Sequence, residues 1–245
     1  MQAETGKTPD ETPAGVSALA PARQPVSSKF IRREGARASD DDHAKVIAQR
    51  FSILRTRLLR EMRDRGWRKL AVAPLTRGAG ATFVTVNLAL ALARQKHTQV
   101  MLLDMDLARP AIASTLGIPG CDSVSATLTS GGAIGTLIRL VEEAPNLSVL
   151  APGRAEPDAS EILQDRGLAQ ALESLVEAMP AEGIALMDTG PLLAEDEALA
   201  TLPMADAILL VADGRRNTAA NMAEAQRLLT GMPPVLGLIL NKSED

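Results

Sequence analysis

Residues 68–93 read RKLAVAPLTRGAGATFVTVNLALALA, and a strand, a turn and a helix follow one another there without a break. The apolar run 68–73 reads as a strand covered on both faces, because no polar residue alternates with the apolar ones. The turn Pro74-Leu75-Thr76-Arg77-Gly78-Ala79-Gly80-Ala81-Thr82 comes next, and the apolar segment 81–95 is predicted as a helix. A glycine-rich turn entering a helix makes a concave ring of backbone N–H groups, and the helix dipole adds partial positive charge, so the site suits phosphate. A full phosphate loop reads G-x-x-x-x-G-K-[ST]. Gly80 and Thr82 fit it, whereas Leu75 stands for the first glycine and Ala81 for the lysine. Taken alone, the same residues serve a structural turn equally well.

Outward from this stretch, strands and helices alternate. Further strands are predicted at 99–104, 147–151, 183–188, 206–212 and 235–240, and further helices at 43–65, 159–179, 195–203 and 217–230. Such alternation implies a doubly wound, mostly parallel α/β sheet, a three-layer sandwich of the P-loop NTPase kind. Ligands on these sheets sit at the carboxyl ends of the strands.

Chemistry-bearing residues stand at those ends. Asp104 and Asp106 close the second strand, and Arg109 follows. A carboxylate there can orient a magnesium-bound water or accept a proton, and Arg109 can pair with an aspartate or a phosphate. The competing role for the aspartates is to cap the next helix or turn. Asp188 ends the strand 183–188, as a second magnesium support does in P-loop proteins. Asn241 and Lys242 follow the last strand, where a base could be read. His43 and His97 read as surface residues, Trp67 as a packing anchor, and Cys121 as a small structural thiol. Glu195, Asp196 and Glu197 read as the acidic first turn of a helix.

The whole chain of 245 residues carries 46% hydrophobic and 23% charged residues and a net charge of −4. That balance is globular and excludes a general nucleic-acid-binding surface. No apolar run approaches the roughly 18 residues of a membrane span, and the N-terminus lacks a signal-peptide core. A single cysteine excludes an internal disulfide and argues against a zinc site. A cytoplasmic protein is expected. Residues 1–42, rich in Ala, Pro, Ser and Thr, are expected to form a disordered tail, and its cluster Lys29, Arg32, Arg33 and Arg37 reads as solvated. Residues 43–245 form the nucleotide-binding domain.

These segments together resemble the cytoplasmic kinase domain of the bacterial tyrosine kinases of capsule and exopolysaccharide synthesis, relatives of the partition and division-site ATPases. AVAPLTRGAGATFVTVNLALALA, VMLLDMDLARP, LSVLAPGRAEPDASEIL, ALMDTGPLLAEDEAL, ADAILLVADGRR and VLGLILNKSE carry the resemblance, from about residue 45 onward. RFSILRTRLL is similar to the family's helix before its first strand. The resemblance implies binding of ATP or ADP with Mg2+. It gives Arg77, Gly78, Ala79, Gly80, Ala81, Thr82, Phe83, Arg109 and Asn241 to the nucleotide. Thr82, Asp104 and Asp188 go to the metal, and Asp104 and Asp106 to catalysis. It also implies a membrane-bound polysaccharide co-polymerase or export protein as partner, recruitment to the inner face of the membrane, and self-association.

The chain departs from the family pattern at several places. Ala81 replaces lysine, Arg77 stands where the family has proline, and Ala108 stands where an arginine is usual. The assembly pattern E-x-x-R-x-x-R falls on Gln49, Ser52 and Arg55, and only Arg55 matches. None of the residues is tyrosine, so any acceptor must lie on another protein. Loss of a charged donor to phosphate costs about 1.5–3 kcal/mol of binding, and more in the transition state, where charge grows on the phosphoryl oxygens. The leading expectation is a degenerate kinase-like regulator with weak or no phosphoryl transfer. A second is an active kinase or ATPase in which Arg77 replaces the lysine. A third is a dinucleotide-binding oxidoreductase, since Gly78 and Gly80 give G-x-G, although Phe83 holds the third glycine position. A partition-type ATPase fits less well, because Thr76 occupies the position of its signature lysine.

Overall fold

The computed structural model describes residues 24–27, 38–194 and 196–243. Eight strands occur among them: β1 (Gln24–Val26), β2 (Lys69–Pro74), β3 (Val100–Asp104), β4 (Arg139–Val141), β5 (Ala144–Leu150), β6 (Ile184–Asp188), β7 (Ala207–Asp213) and β8 (Val235–Asn241). They form one sheet in the order β1-β4-β5-β3-β6-β2-β7-β8. Every pairing is parallel except β4 with β5. The strand that feeds the glycine-rich loop, β2, lies between β6 and β7, so the loop emerges near the middle of the sheet.

Eight α-helices accompany the strands: α1 (Ala38–Arg65), α2 (Ala81–Ala93), α3 (Ile112–Leu116), α4 (Val124–Thr129), α5 (Ala159–Gln164), α6 (Arg166–Glu177), α7 (Glu197–Thr201) and α8 (Ala219–Leu228). Successive strand residues point to opposite faces, so the continuous apolar runs supply two cores at once. Leu70, Val72, Leu102, Leu186 and Leu209 pack with α1, α2 and α3 on one face. Ala71, Ala73, Leu103, Met187 and Leu210 pack with α5, α6, α7 and α8 on the other. This is the doubly wound sandwich expected from the sequence.

The six predicted strands are all present. Two others were not anticipated: β4, three residues of an antiparallel pair, and β1, which lies inside the segment read as a tail. α1 begins at Ala38, ahead of the expected His43. The remainder of the tail reading, including Lys29, Arg32, Arg33 and Arg37, lies outside the described residues, as does Glu195. The predicted helix 159–179 is two helices. Asp165 interrupts it by accepting from Gly167 N at 2.6 Å and Leu168 N at 3.3 Å, and so caps α6. Arg55, the matching position of the assembly pattern, donates from Nη1 to the Ala91 carbonyl at the end of α2, at 3.1 Å. Trp67 packs against the α1–α2 side of the core, with the Arg65 guanidinium 4.7 Å from its ring centre. His97 is exposed and Cys121 buried.

Candidate nucleotide site

The loop between β2 and α2 departs from the phosphate-loop pattern first at Leu75, for a structural reason. Leu75 is fully buried and its N–H donates to Val211 O at 2.9 Å, so this position continues the core and the pairing of β2. The turn itself comes later. Gly78 has φ 79° and Gly80 has φ 90°, both in the left-handed region that glycine reaches without a Cβ clash. Gly80 is the residue before α2, no side chain caps that helix, and Ala81 is its first residue, buried. An uncapped first turn beneath two left-handed glycines is a suitable place for an anion.

A polar clamp holds the loop from the side of β7 and β8. Asn217 Nδ2 donates to Thr76 Oγ1 at 2.8 Å, and Asn241 Nδ2 donates to the Ala79 carbonyl at 2.8 Å. Lys242 Nζ donates to the Gly78 carbonyl and lies 3.3 Å from Asp213 Oδ2. Asn241 packs so closely that a Cβ on Gly80 would lie 2.3 Å from its Nδ2. The expected base reader is therefore engaged with the loop backbone. The Phe83 ring also turns from the loop, meeting Phe51 of α1 edge to face at 6.1 Å. Any contribution of Phe83 to an anion here comes from its backbone N–H. Arg77 and Arg109 are exposed, and the Arg109 N–H closes a turn on Asp106 O at 2.9 Å.

Carboxylates meet the loop from β3 and β6. Asp104 and Asp188 are opposite each other in the parallel register, and both are buried. Asp104 Oδ2 accepts from Ala111 N and Ile112 N, each at 2.8 Å, and so holds the start of α3. The capping role considered for this aspartate is real, but it uses one oxygen. Oδ1 is buried with no hydrogen-bond partner. Burial, and then the charge of Asp188, push the Asp104 carboxyl well above its ordinary range, against the two backbone N–H bonds. Asp188 is raised to about 7, chiefly by burial, while the Thr82 and Thr85 side chains oppose the shift.

Thr85 was not anticipated. Its hydroxyl lies 2.8 Å from Ala81 O and 2.9 Å from Asp188 Oδ1, with one proton for two acceptors. A protonated Asp188 resolves that competition by donating to Thr85 itself. The legible signal was helical spacing, since Thr85 follows Thr82 by three residues on one face of α2. Asp106 stands beyond the pair, half-buried, near Gly190; a Cβ there would lie 3.7 Å from its Oδ1. The structure thus gathers Gly80, Ala81, Thr82, Asp104, Asp106 and Asp188 at one end of the sheet. Among the described residues no three His, Cys, Asp or Glu side chains form a metal cluster. The proposed metal set is two carboxylates and a hydroxyl, with remaining positions for phosphate and water, as magnesium accepts.

No protein-family model matches the chain. Its curated homologues are bacterial tyrosine kinases. Tyrosine-protein kinase YwqD of Bacillus subtilis is 25% identical over 195 residues, covering 79% of this chain and 80% of that protein. Tyrosine-protein kinase wzc of Salmonella typhimurium is 30% identical over 163 residues, 66% of this chain but 22% of the relative, so the chain matches about a fifth of that protein. Among solved structures, the kinase domain of the Escherichia coli tyrosine kinase ETK superposes with a TM-score of 0.65 at 26% identity, over 74% of this chain and 69% of that one. The septum site-determining protein MinD of Pyrococcus horikoshii, solved with Mg-ADP, superposes with a TM-score of 0.59 at 21% identity over 72% of each chain and shares the fold.

Proposed function

We propose that this chain, a relative of the bacterial tyrosine kinases, is a degenerate member that regulates exopolysaccharide or capsule polymerisation and export. It binds Mg-nucleotide weakly and transfers phosphoryl groups slowly or not at all. The observation that carries the reading is Ala81. It sits at the first position of α2, under the left-handed Gly80, where a lysine would face the phosphates, while both buried carboxylates remain in register.

The residues present fit a magnesium nucleotide. The first turn of α2 has no side-chain cap, and Asp104 Oδ1 is buried without a partner. Two adjacent buried carboxyls are held above their ordinary range, chiefly by burial. Thr82 Oγ and the Asp104 and Asp188 carboxylates would hold the cation, Asp104 also placing a water or accepting a proton, with Asp106 in reach of the incoming acceptor. ATP, when bound, supplies the phosphoryl group. The backbone N–H groups of the loop and first turn orient it. No side chain at position 81 neutralises the charge that develops, which is where rate is lost. Among the described residues no helix is long and apolar enough to cross a membrane. Placement at the inner face of the membrane would come from a co-polymerase or export partner, with self-association as a second contact. Adjacent Asp104 and Asp188 have no use in a dinucleotide oxidoreductase, where one ribose-binding acid suffices.

A calorimetric titration with ATP and ADP, with and without magnesium, tests this. Weak magnesium-dependent binding is expected, and Ala81→Lys should tighten it about tenfold or more, given about 1.5–3 kcal/mol for a charged hydrogen bond. Binding abolished by Arg77→Ala, with no gain from Ala81→Lys, would transfer the cation's role to Arg77 and make the active-kinase reading correct. No binding by either the parent or Ala81→Lys would leave the loop as a structural turn.

A further inference from the structure

The last strand ends on Asn241, and the chain then turns sharply. Lys242 has φ 60°, the one non-glycine residue in the left-handed region among those described. That turn carries its side chain back across β7 to the loop. The ammonium donates to the Gly78 carbonyl and lies 3.3 Å from Asp213 Oδ2. Asp213 is built to receive it. Its side chain is 3% exposed, its Oδ1 accepts from Arg215 N at 3.0 Å, and its own N–H donates to Asn217 Oδ1 at 2.7 Å. The Arg215 N–H, and after it Lys242, hold the Asp213 carboxyl below its ordinary value. The lysine is 43% exposed, so the pair is open on the cation's side only.

The same contacts orient the loop. The Ala79 carbonyl is turned toward Asn241, and in a trans peptide the following N–H, that of Gly80, points the opposite way. The Gly80 N–H therefore faces away from the clamp, the Ala79 N–H closes the turn on Thr76 O at 3.2 Å, and the clamp's cation rests on the rim of the loop. Lysine carries three donors on a flexible stem, so it can exchange the Gly78 carbonyl for another acceptor without backbone motion. Asp213 keeps it local.

We propose that Lys242 is the cation of this phosphate loop, supplying to a bound nucleoside polyphosphate the charge that Ala81 lacks. The proposal rests on the nucleotide-site reading above. It differs from the Arg77 alternative in the residue it names, and the contacts of Lys242 with the Gly78 carbonyl and Asp213 carry it.

The experiment is a calorimetric titration of the full chain with Mg-ATP for the parent, Lys242→Gln, Lys242→Arg, Ala81→Lys and the double variant Lys242→Gln with Ala81→Lys, alongside thermal melts. Lys242→Gln is expected to weaken binding about tenfold or more, Lys242→Arg to stay within about threefold of the parent, and the double variant to regain most of the loss. Coupling separates charge supply from loop support: a lysine at position 81 should gain more in the Lys242→Gln background than Ala81→Lys gains in the parent, and an equal gain in both overturns the proposal. Binding by Lys242→Gln within twofold of the parent overturns the proposal and leaves the nucleotide site standing. A loss that the double variant does not recover, with a lowered melting point, assigns Lys242 to the clamp alone and also overturns it. Absence of binding by the parent and by Ala81→Lys removes the nucleotide reading, and the proposal with it.

Discussion

The two sides of the loop–helix junction differ in what holds their residues in place. On the β3–β6 side, Asp104 and Asp188 sit in register, and each has a partner within the fold: Asp104 holds the start of α3, and Asp188 meets Thr85. On the loop side, position 81 is alanine, buried at the first turn of α2, with no polar contact to make. The fold can lose a phosphate-facing lysine without any internal bond being broken, because such a lysine projects into the ligand space. It cannot lose the aspartates so simply. The acidic half of the site is thus tied into the architecture, whereas position 81 is not.

The acidic half nevertheless strains the fold, and the largest expected effect follows from that. A carboxyl moved from 3.8 to about 7 opposes folding by on the order of 4 kcal/mol once ionised. The sign is set by the raised value: the folded state prefers the proton, so stability is fullest below the unfolded value and falls as pH rises through the folded one. Melting temperature should drop as pH rises from about 4 through about 7, and the raised Asp104 carboxyl adds to the fall. Asp188→Asn keeps an acceptor for Thr85 and removes the charge beside Asp104, so it should melt higher than the parent at pH 8 and lose the share of that pH dependence that Asp188 contributes. An Asp188→Asn protein that melts lower than the parent at pH 8 would break the comparison, showing that the ionised pair stabilises the fold.

The loop's two left-handed glycines sharpen it next. A side chain in that conformation costs about 1–2 kcal/mol, and Gly78→Ala should show that much, since nothing lies within 4 Å of its Cβ. Gly80→Ala should cost about 1 kcal/mol more, because its Cβ would lie 2.3 Å from Asn241 Nδ2 and displace the bond to Ala79 O. Urea melts of the two variants measure the difference. Equal losses would mean that the Asn241 clamp contributes nothing to the loop.

The six longer strands and the loop between β2 and α2 were legible because apolar runs covered on both faces leave a continuous signal. β1 and β4 were not, since three-residue strands such as QPV and RLV carry no period to read. Asp165 inside 159–179 was overlooked because the apolar positions of α5 and α6 run on across it, although aspartate two residues before a glycine is ordinary capping chemistry. In the site, the strand-end aspartates declared themselves by position. The clamp did not: Asn217 meets Thr76 across 141 residues and Lys242 meets Gly78 across 164. No local pattern encodes such pairs, and only the pairing of β2 with β7, and of β7 with β8, brings them to the loop.

Phe83 tests the boundary between loop and scaffold, with the smallest effect. The motif reading gives position 83 to the nucleotide, yet the ring faces α1, 39% exposed and edge to face with Phe51 at 6.1 Å. Its backbone N–H, in the first turn of α2, remains directed along the helix axis whatever the side chain is. Phe83→Ala should therefore remove an aromatic pair of about 0.5–1.5 kcal/mol and lower the melting temperature by roughly 2–4 °C. Mg-ATP affinity should stay within about twofold, because no contact to phosphate passes through the ring. A clear loss of affinity without a loss of stability would place the ring, and so the α1–α2 contact, in the nucleotide site. The boundary between loop and scaffold would then lie one helix further out.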